Sequence, residues 1–404
     1  MNTKHDHLVE CLMIDTMGLR VENVPHLALP KAFGRISDDP EATHNSGWAK
    51  GNLRSESGKH MSMRVRTLNA TSQLLVEGSN SMQYLDQNIV SSGDAVMTAY
   101  SMADAVRRQH AMNLECVFRP GEFMRGRDME VTRADIAAML KIDSGLRTGA
   151  VLNAMAFAGL RAGVVTTIFP NESLYFDQHS QLESLKAYDK AVEMQKNGRD
   201  LALPETDNAV VLMELARTTL RFEGVYRLKQ LKRLFGDIPV TPSMLSPQVM
   251  AQMFLGLLNK YNLHGSLRRT LSPKDLWKIR PPYRSTVALW QSGDDVRSIF
   301  KDIEGLLRSH HRVIKKDYGI NILAPSPATI DQHVELGEVL RIEKFVPVPA
   351  AIRADPVLFY HRDMREEFRK HCLQTGARGI SAVYIDPYSV DNSGLVGGAE
   401  DCDD

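Results

Sequence analysis

The chain has 404 residues, 43% of them apolar, and carries 49 Lys+Arg against 49 Asp+Glu. That length predicts two or three folding units with a sizeable buried core, and the balanced charge excludes a uniformly basic nucleic-acid coat, so any basic surface must be local. The cysteines (Cys11, Cys116, Cys372 and Cys402) stand far apart without metal-ligand spacing, which argues for free thiols in a reducing compartment.

The opening MNTKHDHLVECLMID carries acids within its apolar stretch and lacks the shape of a signal peptide. The most apolar window, 150–170, is broken by Arg161 and by glycines, and reads as a core helix running into a strand rather than a membrane span. A cytoplasmic protein is expected. Residues 9–21 predict a strand, and 36–58, rich in Ser, Asn, Gly and charge, a surface loop. Residues 61–68 and 73–76 alternate and predict a hairpin turning at Asn69 and Thr71. Residues 93–112 hold apolar positions at helical spacing. A strand over 129–139, a helix over 146–162 and strands over 173–176, 182–194 and 218–226 follow, the last running into a basic helix over 227–235. This order predicts an α+β fold: an N-terminal, mostly antiparallel sheet with flanking helices.

Beyond Gly236, prolines at 239, 242 and 247 punctuate a linker, and the texture to about residue 322 is helical. Residues 338–348 alternate like a strand, and the Gly-rich acidic tail predicts disorder. The expected units are 1–236, a helical region 237–325, a strand-containing segment 326–388 packing back on the core, and a disordered tail 389–404.

Three strand-like segments each set two polar groups at i and i+2 among apolar neighbours: Arg133 with Asp135, Tyr188 with Lys190, and Arg221 with Glu223. Positions two apart share a strand face, so each pair points one way from a sheet. Polar groups at central strand positions cost stability unless paired or used. Arginine–carboxylate pairing satisfies two of the three pairs with no function at all; the chemical alternative is a face built for catalysis.

The run SLKAYDKAVEMQ (184–195), followed by LRFEGVYRLKQLKRLFG (220–236), resembles the core signature of the filamentous-phage gene II/X replication initiators. VTRADIAAM (131–139) is similar to that family's Arg-x-Asp strand, and MIDTMGLRV and the Gly-Ser-Asn of VEGSNSMQY have counterparts there. Residues 283–322 and VLRIEKFVPVPA (339–350) resemble its C-terminal part, so the likeness spreads over most of 9–356. A related Tyr-Asp-Lys-x-x-Glu…Arg-Phe-Glu pattern occurs in rolling-circle plasmid initiators.

The resemblance implies a rolling-circle initiator endonuclease core in 1–236. Tyr188 matches the nucleophile that attacks a phosphodiester, keeps the 5′ phosphate as a phosphotyrosyl link, and later lets the strand be rejoined. A phenol with a pKa near 10 needs a nearby cation, and Lys190 is expected to stabilise the phenolate or the phosphorane oxygens. Asp135, Glu223 and Glu193 are implied as ligands of Mg²⁺ or Mn²⁺. Glu193 lies five residues from Tyr188, on the opposite face of an unbroken strand, so this role requires a bulge. Arg133 and Arg221 are expected to brace their carboxylates. Tyr175 and Tyr226 compete for the nucleophile's role and read as packing residues. No histidine pair has the His-hydrophobic-His spacing common among tyrosine nickases.

Three basic clusters offer phosphate contacts. The first holds Arg227 and Lys229, the second Arg268 and Arg269, and the third Arg308, Arg312 and Lys315. Residues 283–322 are compatible with a helix-turn-helix whose last helix enters a major groove; a solvated helix face is the plain alternative for each cluster. The implied partners are the double-stranded replicative-form origin and single-stranded viral DNA, with a host helicase and DNA polymerase, in the bacterial cytoplasm and with no membrane. The other readings are a non-catalytic origin-binding or replication-control relative, and an unrelated α+β protein whose polar pairs are structural.

Overall fold

The computed structural model describes residues 3–22, 48–68, 73–109, 129–161, 163–169, 171–198, 203–261, 263, 271–318, 320, 322–323, 326, 334–364, 366–367 and 370. Among these, ten strands form one sheet: β1 (Met13–Val21), β2 (Trp48–Arg54), β3 (Met61–Leu68), β4 (Gln73–Gly78), β5 (Met129–Lys141), β6 (Thr166–Phe169), β7 (Ser173–Phe176), β8 (Glu183–Asp189), β9 (Thr219–Arg227) and β10 (Phe345–Val346). Their order is β2-β3-β4-β1-β5-β9-β8-β7-β6, with antiparallel pairing throughout, and β10 pairs with β5 beyond the end of β1. This is the α+β architecture expected, centred on β5 and β9.

Alternation along the central strands divides the sheet into two faces. Ala134, Ile136, Ala138 and Leu140 of β5, Leu185 and Ala187 of β8, and Leu220, Phe222 and Tyr226 of β9 enter the main core. Helices Ala95–Gln109, Thr148–Arg161 and Pro247–Lys260 cover that face. Each leucine, isoleucine or phenylalanine among these core side chains contributes on the order of 1.5–3 kcal/mol by leaving water, and each alanine less. Pro247–Lys260, expected with the second unit, lies in this core through Met250, Phe254 and Leu257. On the opposite face a smaller cluster joins Met13, Ala137 and Met139 to Ile89, Leu212, Ile352 and Phe359. Beside that cluster the same face carries Asp135, Lys186, Tyr188, Arg221 and Glu223.

Four expectations need correction. Residues 9–11 end a helix, Thr3–Cys11, and β1 starts only at Met13. The loop expected over 36–58 contains β2, an edge strand that β3 templates despite its Lys, Gly and Asn. The strand expected over 182–194 stops at Asp189, whose carboxylate accepts from the Val192 N–H at 3.1 Å and starts the helix Lys190–Lys196. Residues 338–348 give only the two-residue β10, after the turn of helix Leu336–Val339 and a 3₁₀ turn at Ile342–Lys344. Sequence periodicity also missed the helix Asp207–Thr218, which Thr206 caps. The turn at Asn69 and Thr71 and the tail 389–404 lie outside the described residues.

A separate cluster of Ile279, Val287, Trp290, Val296, Leu307 and Ile314 holds helices Pro281–Ser292, Val296–Ile299 and Glu304–Tyr318 together. The turn between the first two is set by Gly293, at φ 101°, and by Asp295, which accepts from the Arg297 N–H at 3.0 Å. A left-handed φ suits glycine because it has no Cβ to clash. Among the described residues no helix is long and apolar enough to cross a membrane.

Candidate active site

Arg133 with Asp135, Arg221 with Glu223, and Tyr188 meet on the sheet face opposite the main core. In the β8–β9 ladder Tyr188 stands opposite Arg221 and Lys186 opposite Glu223, and Glu223 faces Ala137 of β5. The Tyr188 hydroxyl donates to Glu223 Oε1, which also accepts from Arg221 Nε at 3.0 Å. Lys186 Nζ lies 3.6 Å from Glu223 Oε2 and 3.7 Å from the centroid of the Tyr188 ring. One carboxylate thus joins a phenol, a guanidinium and an ammonium.

Arg221 is wholly buried and closes the base of the cluster. Its Nη2 donates to Asp15 Oδ1 at 2.8 Å and its Nη1 to the Ile89 carbonyl at 2.5 Å. Asp15 occupies a β-bulge: Ile14 pairs with Ile136 and Thr16 with Asp135, leaving one extra residue on β1 between them. Asn88 ties the cluster's edge, donating to Asp15 Oδ1 at 3.0 Å and accepting from Lys190 Nζ at 2.8 Å. Arg133 grips Asp135 with two bonds of 2.8 and 2.7 Å and reaches Glu77 Oε1 at 2.9 Å. Both arginines therefore brace carboxylates, as the i, i+2 spacing anticipated.

Lys190 and Glu193 are placed otherwise than expected. Because β8 ends at Asp189, Lys190 does not share a strand face with Tyr188; it opens the following helix. No bulge brings Glu193 round. One helical turn does, setting its Oε2 2.7 Å from Lys190 Nζ. Lys190 is fully buried and 5.6 Å from the centroid of the Tyr188 ring.

Burial and charge set the protonation states. Burial, with the Glu223 charge, raises the Tyr188 phenol well above its ordinary value. Burial alone would raise Glu223, but Lys186 and Arg221 overcome it and hold the carboxyl at about 2. The resting pair is therefore a neutral phenol donating to an ionised carboxylate. Burial opposes the Lys186 charge, yet Glu223, Tyr175, Asp15 and Glu193 together outweigh it and raise the ammonium's pKa; burial and Arg221 lower that of Lys190. Burial pushes Asp135 up to about 7 despite its bidentate arginine, and Asp15 and Glu223 add to the rise.

These carboxylates do not fit a shared divalent ion. The ligand set that the resemblance implies requires oxygens of Asp135, Glu223 and Glu193 turned to one point. Here Arg133 holds Asp135, while Tyr188, Arg221 and Lys186 hold Glu223, and Lys190 and Asn197 hold Glu193. Among the described residues no three His, Cys, Asp or Glu side chains form a ligand group.

Three contributors were not singled out from sequence. Lys186 obeys the same i, i+2 rule, on the N-terminal side of Tyr188. Asp15 was legible as a carboxylate inside the apolar MIDTM run. Asn88 lies in a loop with no periodic signal. Of the competing tyrosines, Tyr226 packs in the main core and Tyr175 is half-buried on β7 beside Lys186.

The basic residues lie elsewhere. Arg227 is half-buried, 3.5 Å from Ser184 Oγ, and the exposed Lys229 donates to Gln181 at 2.6 Å. Arg308, His311, Arg312, Lys315 and Lys316 line an open groove of about 630 Å³ along Glu304–Tyr318. His310 turns inward to Thr286 at 2.8 Å. Arg268 and Arg269 lie outside the described residues.

Fold and site together define an antiparallel-sheet α+β protein that holds a tyrosine–carboxylate pair in a charged pocket. Residues 13–245 match the family model for the N-terminal part of the phage replication-associated protein of gene II, and the chain belongs to that family. The replication-associated gene II protein of Enterobacteria phage I2-2 is 24% identical over 281 residues, covering 69% of this chain and 77% of that protein. The rolling circle replication initiator protein from Geobacillus stearothermophilus, a solved structure, aligns with 66% of this chain and 90% of its own at 11% identity and a TM-score of 0.26.

Proposed function

We propose that this protein initiates rolling-circle DNA replication by nicking one strand of a double-stranded origin with Tyr188, and that it rejoins the displaced single strand after a round of synthesis. The observation that carries this reading is the hydrogen bond from the Tyr188 hydroxyl to Glu223, with Lys186 against the same ring. Glu223 accepts the phenol's proton, the Tyr188 oxygen attacks phosphorus in line, and the 3′ oxygen leaves with its electron pair and takes a proton from water. The 5′ phosphate stays on the tyrosine until a 3′ hydroxyl reverses the step. Arg221 and Asp15 fix the carboxylate's position from beneath.

In this reading the sheet with its covering helices, Pro247–Lys260 included, is the nicking unit, and the helices between 271 and 318 are the DNA-binding region, whose groove of Arg308, Arg312 and Lys315 grips duplex phosphates. The described residues between 334 and 364 pack on the nicking unit through Leu336, Phe345, Ile352 and Phe359. A host polymerase would extend the freed 3′ end while a host helicase unwinds the duplex, in the bacterial cytoplasm. The second reading, a non-catalytic origin-binding or replication-control protein, draws on the burial of Tyr188, which is only 2% exposed.

The discriminating experiment incubates the full chain with the supercoiled replicative form that encodes it, in Mg²⁺, in Mn²⁺ and in chelator. Relaxed circles and a covalent protein–DNA adduct are expected, and Tyr188→Phe should lose both. Binding without relaxation or adduct by the unaltered chain would establish the second reading instead.

A further inference from the structure

The geometry points to Lys186, rather than Lys190, as the cation that meets the scissile phosphate and steadies the Tyr188 phenolate; this rests on Tyr188 being the nucleophile. Two lysines flank the tyrosine at i−2 and i+2, and the chain's path separates them. Lys186 stays on the strand, so its side chain shares the Tyr188 face, and its ammonium lies 3.7 Å from the ring centroid. Lys190 has left the strand, and its ammonium is 5.6 Å from that centroid.

Access separates them further. The Lys186 side chain is 24% exposed, whereas Tyr188 is 2% and Arg221 0% exposed, so a phosphate approaching the phenol meets Lys186 before the arginine. Lys190 is 0% exposed, with its ammonium held by Asn88 and Glu193. An incoming phosphate would have to break both bonds to reach it.

Lys186 also has a partner that the reaction itself removes. At rest its ammonium faces Glu223 Oε2 while Glu223 Oε1 accepts from Tyr188. As the Tyr188 oxygen bonds to phosphorus its proton passes to Glu223, whose charge disappears while negative charge gathers on the phenolic and phosphoryl oxygens. The ammonium's attraction then passes from the carboxylate to the phenolate and the non-bridging phosphate oxygens. As the tyrosine–phosphorus bond forms, the phosphorus–3′ oxygen bond breaks, and the departing oxygen is protonated by water. Lys186 keeps its protons throughout. In the transition state it lies against charge that has developed on the phenolic and phosphoryl oxygens, where a cation fixed in advance stabilises more than water can.

The test uses the full chain and a single-stranded oligonucleotide spanning the nick mapped on the replicative circle, reading the single-turnover rate of covalent adduct formation. Lys186→Met is expected to slow this step by about 100-fold or more, the scale for loss of one charge-stabilising group, while Lys186→Arg stays within about tenfold. Lys190→Met should slow it far less. Replacing Tyr188 with 2,3-difluorotyrosine, which ionises more readily, should recover at least about tenfold in Lys186→Met and change the unaltered enzyme little. Packing damage would not respond to a phenol's acidity, so this rescue separates catalysis from structure; Lys186→Gln takes the place of the Met variant if the latter does not fold. A Lys186→Met rate within about threefold of the parent, or absence of fluorotyrosine rescue, overturns the assignment. Tyr188→Phe serves as the control on the reading beneath: an adduct formed without that hydroxyl overturns the nucleophile itself, whereas a dead Tyr188→Phe beside a fully active Lys186→Met overturns Lys186 alone.

Discussion

Lys190 Nζ and Glu193 Oε2 meet at 2.7 Å across one helical turn, the lysine fully buried and the glutamate 22% exposed. The pair lies at the edge of the charged pocket rather than at the phenol, and Asn88 links it to Asp15. Its chemistry is that of a lock. A buried ammonium loses hydration and must recover it from fixed acceptors.

Removing the acceptor should therefore cost more than removing the charge. Glu193→Ala takes away the carboxylate and leaves Lys190 leaning on the Asn88 side-chain Oδ1, which is expected to lower unfolding free energy by about 1–3 kcal/mol. Lys190→Met removes the buried charge itself, while Glu193 keeps Asn197 and its exposure to water, so the loss should be smaller. Urea denaturation of both variants checks the order. A larger loss for Lys190→Met would mean that the ammonium is a net stabiliser and not a compensated cost.

Arg221 is the most heavily committed charge of the pocket, bonded to Glu223, Asp15 and the Ile89 carbonyl while wholly buried. Arg221→Met strips two buried carboxylates of a partner at once. A loss of about 3–5 kcal/mol is expected in denaturant unfolding, the scale for breaking a buried ion pair from one side. Arg221→Lys should recover only part, because a point charge cannot reproduce the fork that reaches three acceptors. Full recovery by lysine would show that charge alone matters there.

Two carboxyls give the stability profile opposite slopes. Glu223, held at about 2 against an ordinary 4.5, stabilises the fold above 4.5, and that contribution is lost as pH falls through 2. A depression of this size corresponds to roughly 3 kcal/mol. Asp135 is raised to about 7 from 3.8, so the folded state binds its proton more tightly and gains stability as pH falls through that interval. A maximum in the weakly acidic range is expected from the two together. Glu223→Gln should flatten the acid limb and leave the limb near neutrality; Asp135→Asn should do the reverse. Thermal unfolding between about pH 3 and 8 reads both limbs. An acid limb unchanged in Glu223→Gln would assign it to other groups.

How much of this was legible beforehand depends on whether the signal was local. The period of two placed Arg133 with Asp135 and Arg221 with Glu223, because pairing within one strand needs no knowledge of its neighbours. It failed at Lys190 because Asp189 does two things at once, ending a strand and capping a helix, and only the cap decides which way the next lysine points. β2 escaped notice for the opposite reason: its Gly51 and Asn52 carry no strand preference, and the ladder to β3 imposes one. Asp15 and Asn88 were beyond reach in a stronger sense. Asp15 meets Arg221, 206 positions away, through a bulge, and Asn88 meets Lys190 across 102, so no window along the chain contains either contact.

The basic groove offers the test of how origin recognition is divided from cutting. Arg308 is 76% exposed and lies 3.9 Å from Glu304, too loosely paired to be spent on the fold, and Arg312 and Lys315 extend the same helix face. Leu307 and Ile314 on the inner side bury that helix in its own cluster, apart from the core under the sheet. Charge on the outer face can therefore be changed without disturbing either core. Replacing Arg308, Arg312 and Lys315 together by serine should weaken binding to replicative-form duplex steeply at low salt. The slope of log affinity against log salt should shrink by roughly 0.9 for each phosphate left without its cation. Cleavage of a single-stranded oligonucleotide, which in the proposed function uses only the tyrosine pocket, should stay near the parent rate. Equal loss of both activities would place the single strand in the same groove and remove the case for a separate recognition surface.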